Sequence, residues 1–451
     1  MKYRAILAGF AMLVTVLSAF AVATPAAAAA AEEDTVYIAM QADMTDFNNY
    51  NLGTNSVWKA HVITYCYEGL VATDYDLSTV PWLATGWTFT EATLTVDVDI
   101  RTDVLFHDGT PMTVDDVIYS YKMVRDGTTY SDRIVQAFDQ DADGAISDTE
   151  FSDGVIRVDD DTVRFVMAQP YGQFFSSTLS VPIVPMAIWD DPLNGFTDAD
   201  DKVIVTMSDE LMTIGTGAWR YDSGVANSHR IIKTFDDYWG KDYISPAGMP
   251  AFPVTLDRVY YKIYTSIDTA ILALQGGDVD YIAWAVTAGR VPSLQSDPNI
   301  QLEYMSDSGY FYLAFNMKKE PMNNLTFRKA VSHLIDKDQI VDVYMGGFGQ
   351  AGSSAVPPFF GEWHNEAVNK YPFDTDVAND LLDDAGYIDS NGDGWRDMPD
   401  GSLMDKITLM TPPADYDPIR IKAGEMLATN MRGAGINVEA KPIDFNTLVG
   451  H

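Results

Sequence analysis

A chain of 451 residues, 47% hydrophobic and 21% charged, is too long for one core and divides into two or three lobes of ordinary globular composition. Its 29 Lys and Arg stand against 65 Asp and Glu, a formal net charge of -36. A surface this acidic repels phosphate backbones and anionic headgroups, which sets nucleic acids and anionic membranes aside as partners.

Lys2 and Arg4 precede an apolar run from Ala5 to Ala23, then Thr24-Pro25 and an alanine tract ending near Ala31. This is the layout of a secretory signal, residues 1–31, with cleavage expected near Ala30 or Ala31. The same run is just long enough to span a bilayer, so a retained anchor is the alternative. Cys66 is the only cysteine, so an intramolecular disulfide is impossible. No cysteine stands at the end of the signal to carry a lipid. Between Tyr65 and Tyr67, Cys66 reads as a buried packing residue.

Thr35–Met40 reads as a strand, followed by an Asn-rich loop and a helix over Val57–Leu70. Leu94, Val96, Val98 and Ile100 alternate with polar residues, as a half-buried strand over Thr93–Ile100 requires. The turn cluster His107-Asp108-Gly109-Thr110-Pro111 comes next. Thr113 with Asp116 is a capping-box-like start for a helix carrying Val117, Ile118 and Tyr121. A strand is expected over Thr162–Met167 and a helix over Tyr171–Leu179. Gly215-Thr216-Gly217 opens a strand-rich block through Ile232. A helix over Thr269–Gln275, strands over Asp278–Ile282 and Tyr312–Phe315, and a helix over Thr326–Leu334 complete the series. Strands and helices interleave without strict alternation, so the fold class is mixed α/β with several sheets.

Two acidic loops interrupt this order. Asp139, Asp141, Asp143, Gly144 and Glu150 fit the twelve-residue calcium-loop pattern, with Ala145 offering its carbonyl and Ser147 acting through water. Alternate carboxylates wrap a hard cation, Gly144 allows the sharp turn, and Glu150 closes the site. Asp389, Asn391, Asp393, Gly394 and Asp397 repeat the pattern, but Asp400 stands where Glu is expected and reaches less far. Ca2+ is therefore the expected cofactor at 139–150 and, more weakly, at 389–400. Long helices do not flank either loop on both sides, which favours a structural clamp over a sensor.

Short segments in fixed order carry a resemblance. Tyr67-Glu68-Gly69-Leu70, Phe106-His107-Asp108-Gly109-Thr110-Pro111 with Asp115-Asp116-Val117, and Gly215-Thr216-Gly217-Ala218-Trp219 are followed by Asp237-Tyr238-Trp239-Gly240, Gly277-Asp278-Val279-Asp280, Phe315-Asn316 and Arg328-Lys329-Ala330-Val331. Along nearly all of the mature chain the series resembles the family 5 extracellular solute-binding proteins of ABC importers. In the third segment, Ala218 replaces the usual proline. The resemblance implies a two-lobed, periplasmic-binding-protein-like flytrap with three domains. The first is discontinuous (32–80 and 188–288), the second is inserted at 81–187, and the third, 289–451, forms the opposing lobe. Relatives run well beyond the point matching His451, so that lobe is expected to be incomplete.

The resemblance further implies a ligand, a peptide or similar small solute, closed between the lobes, and importer permease subunits as partners. A monomer is expected, in the periplasm or on the outer face of the cytoplasmic membrane. Loops facing the hinge supply the ligand candidates Asn51, Trp284, Tyr310 and Tyr312, whose aromatics could stack on a ligand. With 24 Tyr and 9 Trp in the chain, packing is the competing role for each. The His107 turn reads as architectural. Gly215 and Gly217 lack the Lys-Ser/Thr of a phosphate loop. His61, His107, His229, His333, His364 and His451 show no His-Glu-x-x-His spacing, and a Gly-x-Ser-x-Gly elbow is missing, so an enzyme is not expected. A secreted hydrolase and a calcium-bearing surface interaction protein stand as the alternatives.

Overall fold

The computed structural model describes residues 34–44, 47–48, 57–126, 131–190, 196–198, 203–205, 207–251, 256–284, 286–304, 309–414, 416–444 and 447–448. The expected signal and Asn51 lie outside the described residues. The chain forms two units, one of Met1–Ile38 with Ala42–Ile263, the other of Ala39–Gln41 with Tyr264–His451.

Alternation builds the first sheet of the first unit. Strands Ala84–Thr90, Thr95–Ile100, Thr162–Val166 and Val155–Arg157 pair antiparallel in that order. Val96, Val98, Val163 and Phe165 face inward and are fully buried, each contributing about 1.5–3 kcal/mol. On the opposite face Arg164 lies across from Asp97 and donates to both of its oxygens, at 2.6 and 2.8 Å. The helix Val114–Asp126 starts where the sequence predicts: Thr113 N–H and Oγ1 donate to Asp116 Oδ2 at 2.8 and 2.7 Å. Its Tyr121 ring meets Phe165 at 5.0 Å.

The first four strands of the five-stranded second sheet are, in order, Trp219–Val225, His229–Thr234, Arg258–Ile263 and Thr35–Met40. A buried ion pair fixes the loop after Thr35–Met40: Arg230 Nε and Nη2 donate to Asp43 at 3.0 and 2.9 Å. Of two expected helices, one is shorter and the other does not form. The first runs Val57–Ile63, because the next carbonyls, those of Tyr65 and Cys66, accept from Trp219 and Gly217 N–H at 3.3 and 3.0 Å. The segment 171–179 is a series of turns leading into the 3-10 turn Thr178–Ser180. There Tyr121 Oη–H donates to the Thr178 carbonyl at 2.8 Å and Thr178 Oγ1–H to the Arg133 carbonyl at 2.6 Å, contacts that displace a helical ladder.

The second unit begins earlier than position 289. Ala39, Ala270, Ala273 and Val279 form a cluster of their own, and Ala283 N–H donates to Ala39 O at 3.0 Å. The helix Ile267–Gly276 ends at Gly277 with φ 77°. Asp278 N–H then turns back to Ala273 O at 2.8 Å, so the following strand shrinks to Tyr281–Ile282.

A larger core gathers Phe327, Val331, Leu382, Leu427, Met431 and Ile436. Three helices supply most of it, each capped by a side chain. Asn324 caps Leu325–His333, Asp374 caps Thr375–Asp384, and Asp417 caps Pro418–Gly433. The last crosses between the parallel strands Ile407–Thr411 and Val438–Pro442. A Cβ at Gly424 would stand 2.4 Å from Thr411 Cγ2, so only glycine permits this helix-to-strand approach. Among the described residues no helix is long and apolar enough to cross a membrane.

Candidate functional site

Four of the seven signature segments, those at 67–70, 106–111, 215–219 and 237–240, lie in the first unit and bond to one another. His107 Nδ1 accepts from Gly215 N–H at 3.2 Å, and its Nε2 lies 2.9 Å from the Gly217 carbonyl. His107 N–H donates to Gly215 O at 2.9 Å. A Cβ at Gly215 would meet the Cys66 carbonyl at 2.1 Å, and one at Gly217 the Tyr65 carbonyl at 2.2 Å. Cys66 itself is buried, and burial pushes its thiol up to about 12. It is a packing residue.

Glu68 ties two further segments together. It accepts from Trp82 Nε1–H at 2.7 Å, Tyr238 Oη–H at 2.6 Å and Trp239 Nε1–H at 3.0 Å. Burial pushes its carboxyl upward, and these donors pull the other way. Arg101 covers the Trp239 ring at 4.0 Å and donates to the Trp82 carbonyl at 2.8 Å.

The aromatic ligand candidates lie in the second unit. The segment 310–315 forms no helix, strand or turn and joins no sheet, and its backbone makes no hydrogen bond among the described residues. Leu313 and Phe315 pack on the larger core. Tyr310, Phe311 and Tyr312 stay exposed, Tyr312 at 76%, with the two tyrosine rings 5.6 Å apart. Trp284 is half-buried against the Ala270–Val279 cluster, apart from the larger core. Reading the sequence misses Tyr416 and Arg420. The Arg420 guanidinium lies 5.2 Å from the Phe311 ring and 5.8 Å from that of Tyr416. The available signal is Asp417-Pro418, an N-cap with proline at the first helical position, which places Arg420 in the first turn.

The first acidic loop gathers its carboxylates around its own backbone amides. Helices Ser131–Phe138 and Asp148–Gly154, both short, flank it. Asp139, Asp141 and Asp143 each offer an oxygen within 4.8 Å of the others; among the described residues no other trio of His, Cys, Asp and Glu does so. Asp139 accepts from Ala142 and Gly144 N–H at 2.7 and 2.9 Å. Glu150 accepts from Gln140 N–H at 2.7 Å and from Ser147 Oγ–H at 2.7 Å. The Ser147 hydroxyl and N–H and the Gln140 N–H hold its carboxyl down at about 2. Ala145 lies exposed beside Gly144, and its N–H donates to Asp143 at 2.9 Å.

In the second loop Asp389 accepts from Gly392 and Gly394 N–H at 2.7 and 2.9 Å, and Asn391 from Asp393 N–H at 2.8 Å. Asp397 is buried and accepts from Ser390 N–H at 3.0 Å, the same link from the loop's second residue that Glu150 makes in the first. Asp400 is engaged elsewhere, accepting from Ser402 N–H and Oγ–H at 2.9 and 2.6 Å.

Comparison with known proteins decides the family. Residues 78–450 match the model of the bacterial extracellular solute-binding proteins, family 5. The chain belongs to that family. The oligopeptide-binding protein AppA of Bacillus subtilis (strain 168) is 24% identical over 388 residues, 85% of this chain and 64% of the relative. The dipeptide-binding protein of Escherichia coli (strain K12) is 23% identical over 421 residues, 86% of this chain and 72% of the relative. This family member thus spans about two thirds of the length of those relatives. The structure of AppA from Bacillus subtilis in complex with a nonapeptide superposes with a TM-score of 0.71 at 21% identity, covering 93% of this chain and 77% of that one. This likeness establishes the mixed α/β fold of the periplasmic binding proteins.

Proposed function

We propose that this chain is the extracytoplasmic solute-binding component of an ABC-type importer and takes a peptide or a similar small solute. The observation that carries the reading is the segment 310–315, held to the core by Leu313 and Phe315 while its backbone makes no hydrogen bond among the described residues. A peptide laid along it gains main-chain hydrogen bonds without demanding particular side chains. Tyr310 and Tyr312 then supply apolar faces beside that backbone. Names of the matched relatives, an oligopeptide-binding and a dipeptide-binding protein, support the same substrate class.

The reading includes export by the N-terminal signal, a monomeric receptor, and permease subunits as partners. It also includes Ca2+ as a structural clamp, held by Asp139, Asp141, Asp143, Ala145, Ser147 and Glu150. At the second loop Asp389, Asn391, Asp393 and Asp397 would hold it, with Asp397 closing that site in place of Asp400. No observation favours a hydrolase or a surface interaction protein without a transport role.

The test is capture. The protein is incubated with a mixed peptide pool, separated by gel filtration, and its bound fraction read by mass spectrometry. Intact peptides retained in one-to-one ratio are expected. Cleaved peptides in the pool would replace the binder with a hydrolase.

A further inference from the structure

The histidine between the signature segments fits its surroundings in one protonation state. Nδ1 receives the Gly215 N–H, and Nε2 faces the Gly217 carbonyl. A neutral ring with its proton on Nε2 satisfies both. A proton added at Nδ1 points at the Gly215 N–H, donor against donor. The turn is held closely as well, because the Cys66 and Tyr65 carbonyls crowd Gly215 and Gly217 and Gly217 N–H donates to Cys66 O at 3.0 Å. Phe235 closes the ring's edge at 5.0 Å.

We propose that His107 is an acid-sensitive staple between the first and second sheets, closed when neutral and opened by protonation at Nδ1. Its position gives it that reach. His107 lies in the turn that follows the first sheet's strand Thr95–Ile100, and Gly217 stands two residues before Trp219, where the second sheet's strand Trp219–Val225 begins. Freeing Gly215–Gly217 therefore loosens the crossing from one sheet to the other.

The groups on the surrounding elements act in both directions, and burial decides between them. Burial holds the imidazole down, to about 4, and Arg220 on the neighbouring strand opposes a second positive charge. The carbonyls of Gly217 and Thr213 pull the other way more strongly than Arg220 pushes, and Asp108 in the same turn adds to them, but burial outweighs all three. Cys66 stays a neutral thiol across this range. Because the folded value lies below the ordinary one, the staple's contribution is complete above the ordinary histidine range and is lost as pH falls through about 4.

Hydrogen exchange on the full chain, corrected for intrinsic rate, tests the proposal between pH 7 and pH 4. Protection of the Gly215 and Gly217 amides should fall roughly tenfold toward the acid end, while Thr95–Ile100 stays protected. In His107→Gln that step should disappear. A step that persists unchanged in the variant, or no step in the parent, overturns the proposal. Should the variant not fold, the parent's own His107 ring decides by NMR. A proton on Nε2 and a midpoint near 4 are expected, and an ordinary histidine titration overturns the staple.

Discussion

Glu150 Oε1 accepts the Gln140 N–H at 2.7 Å, so the twelfth residue of the first acidic loop already reaches back to its second. The loop's carboxylates are engaged by its own amides, bonds that contribute to the loop's shape. Calcium should therefore stabilise a protein that is already folded, raising Tm on addition and lowering it to the metal-free value with chelator. Asp141→Ala should remove most of that rise, measured by calorimetry. An identical transition with and without the ion would reject the clamp. Glu150 has a depressed folded value, so its contribution is present above the ordinary glutamate range and is lost as pH falls through about 2.

The two loops should differ in which residue closes them. Asp397 is buried and linked to Ser390, whereas Asp400 serves Ser402. Asp397→Asn should weaken Ca2+ binding at the second loop about tenfold or more, while Asp400→Asn leaves it within about twofold. Calcium titration with the first loop disabled by Asp141→Ala reads this directly. Equal losses in the two variants would return Asp400 to the site.

Gly215 and Gly217 approach carbonyl oxygens, which cannot rotate away as a side chain can. Gly215→Ala should cost more than about 3 kcal/mol, or leave no folded protein. A substitution at Gly172, where a Cβ meets nothing within 4 Å, should cost under about 1 kcal/mol. Urea unfolding of the two variants provides the comparison.

Much of the first unit was legible because its signals are local. Thr113 and Asp116 are three residues apart, and the alternation of Val96 and Val98 needs no knowledge of a partner strand. The Tyr312–Phe315 pattern is equally strand-like, but a strand requires a neighbour, and periodicity cannot say whether one is present. The helix after Val57 stops early because Tyr65 and Cys66 bond to Gly217 and Trp219, far along the chain. Asp397 and Asp400 have the same side chain, so only the backbone path shows which turns inward.

Asp43 and Arg230 illustrate the limit most clearly, since their sequence positions carry no hint of pairing. Both side chains are under 10% exposed, so breaking the pair strands a buried charge. Arg230→Ala and Asp43→Ala should each cost about 3–5 kcal/mol, and the double variant less than the sum. Full additivity in a denaturant cycle would show that the two act independently.

On the function proposed here, this family member binds a peptide along 310–315. Isothermal titration of a captured peptide into the protein and into Tyr312→Ala tests it most directly. Saturable one-to-one binding is predicted, weakened about 3- to 10-fold in the variant, with an unchanged Tm because Tyr312 is exposed. Absence of saturable heat, or equal affinity in both proteins, would contradict the account.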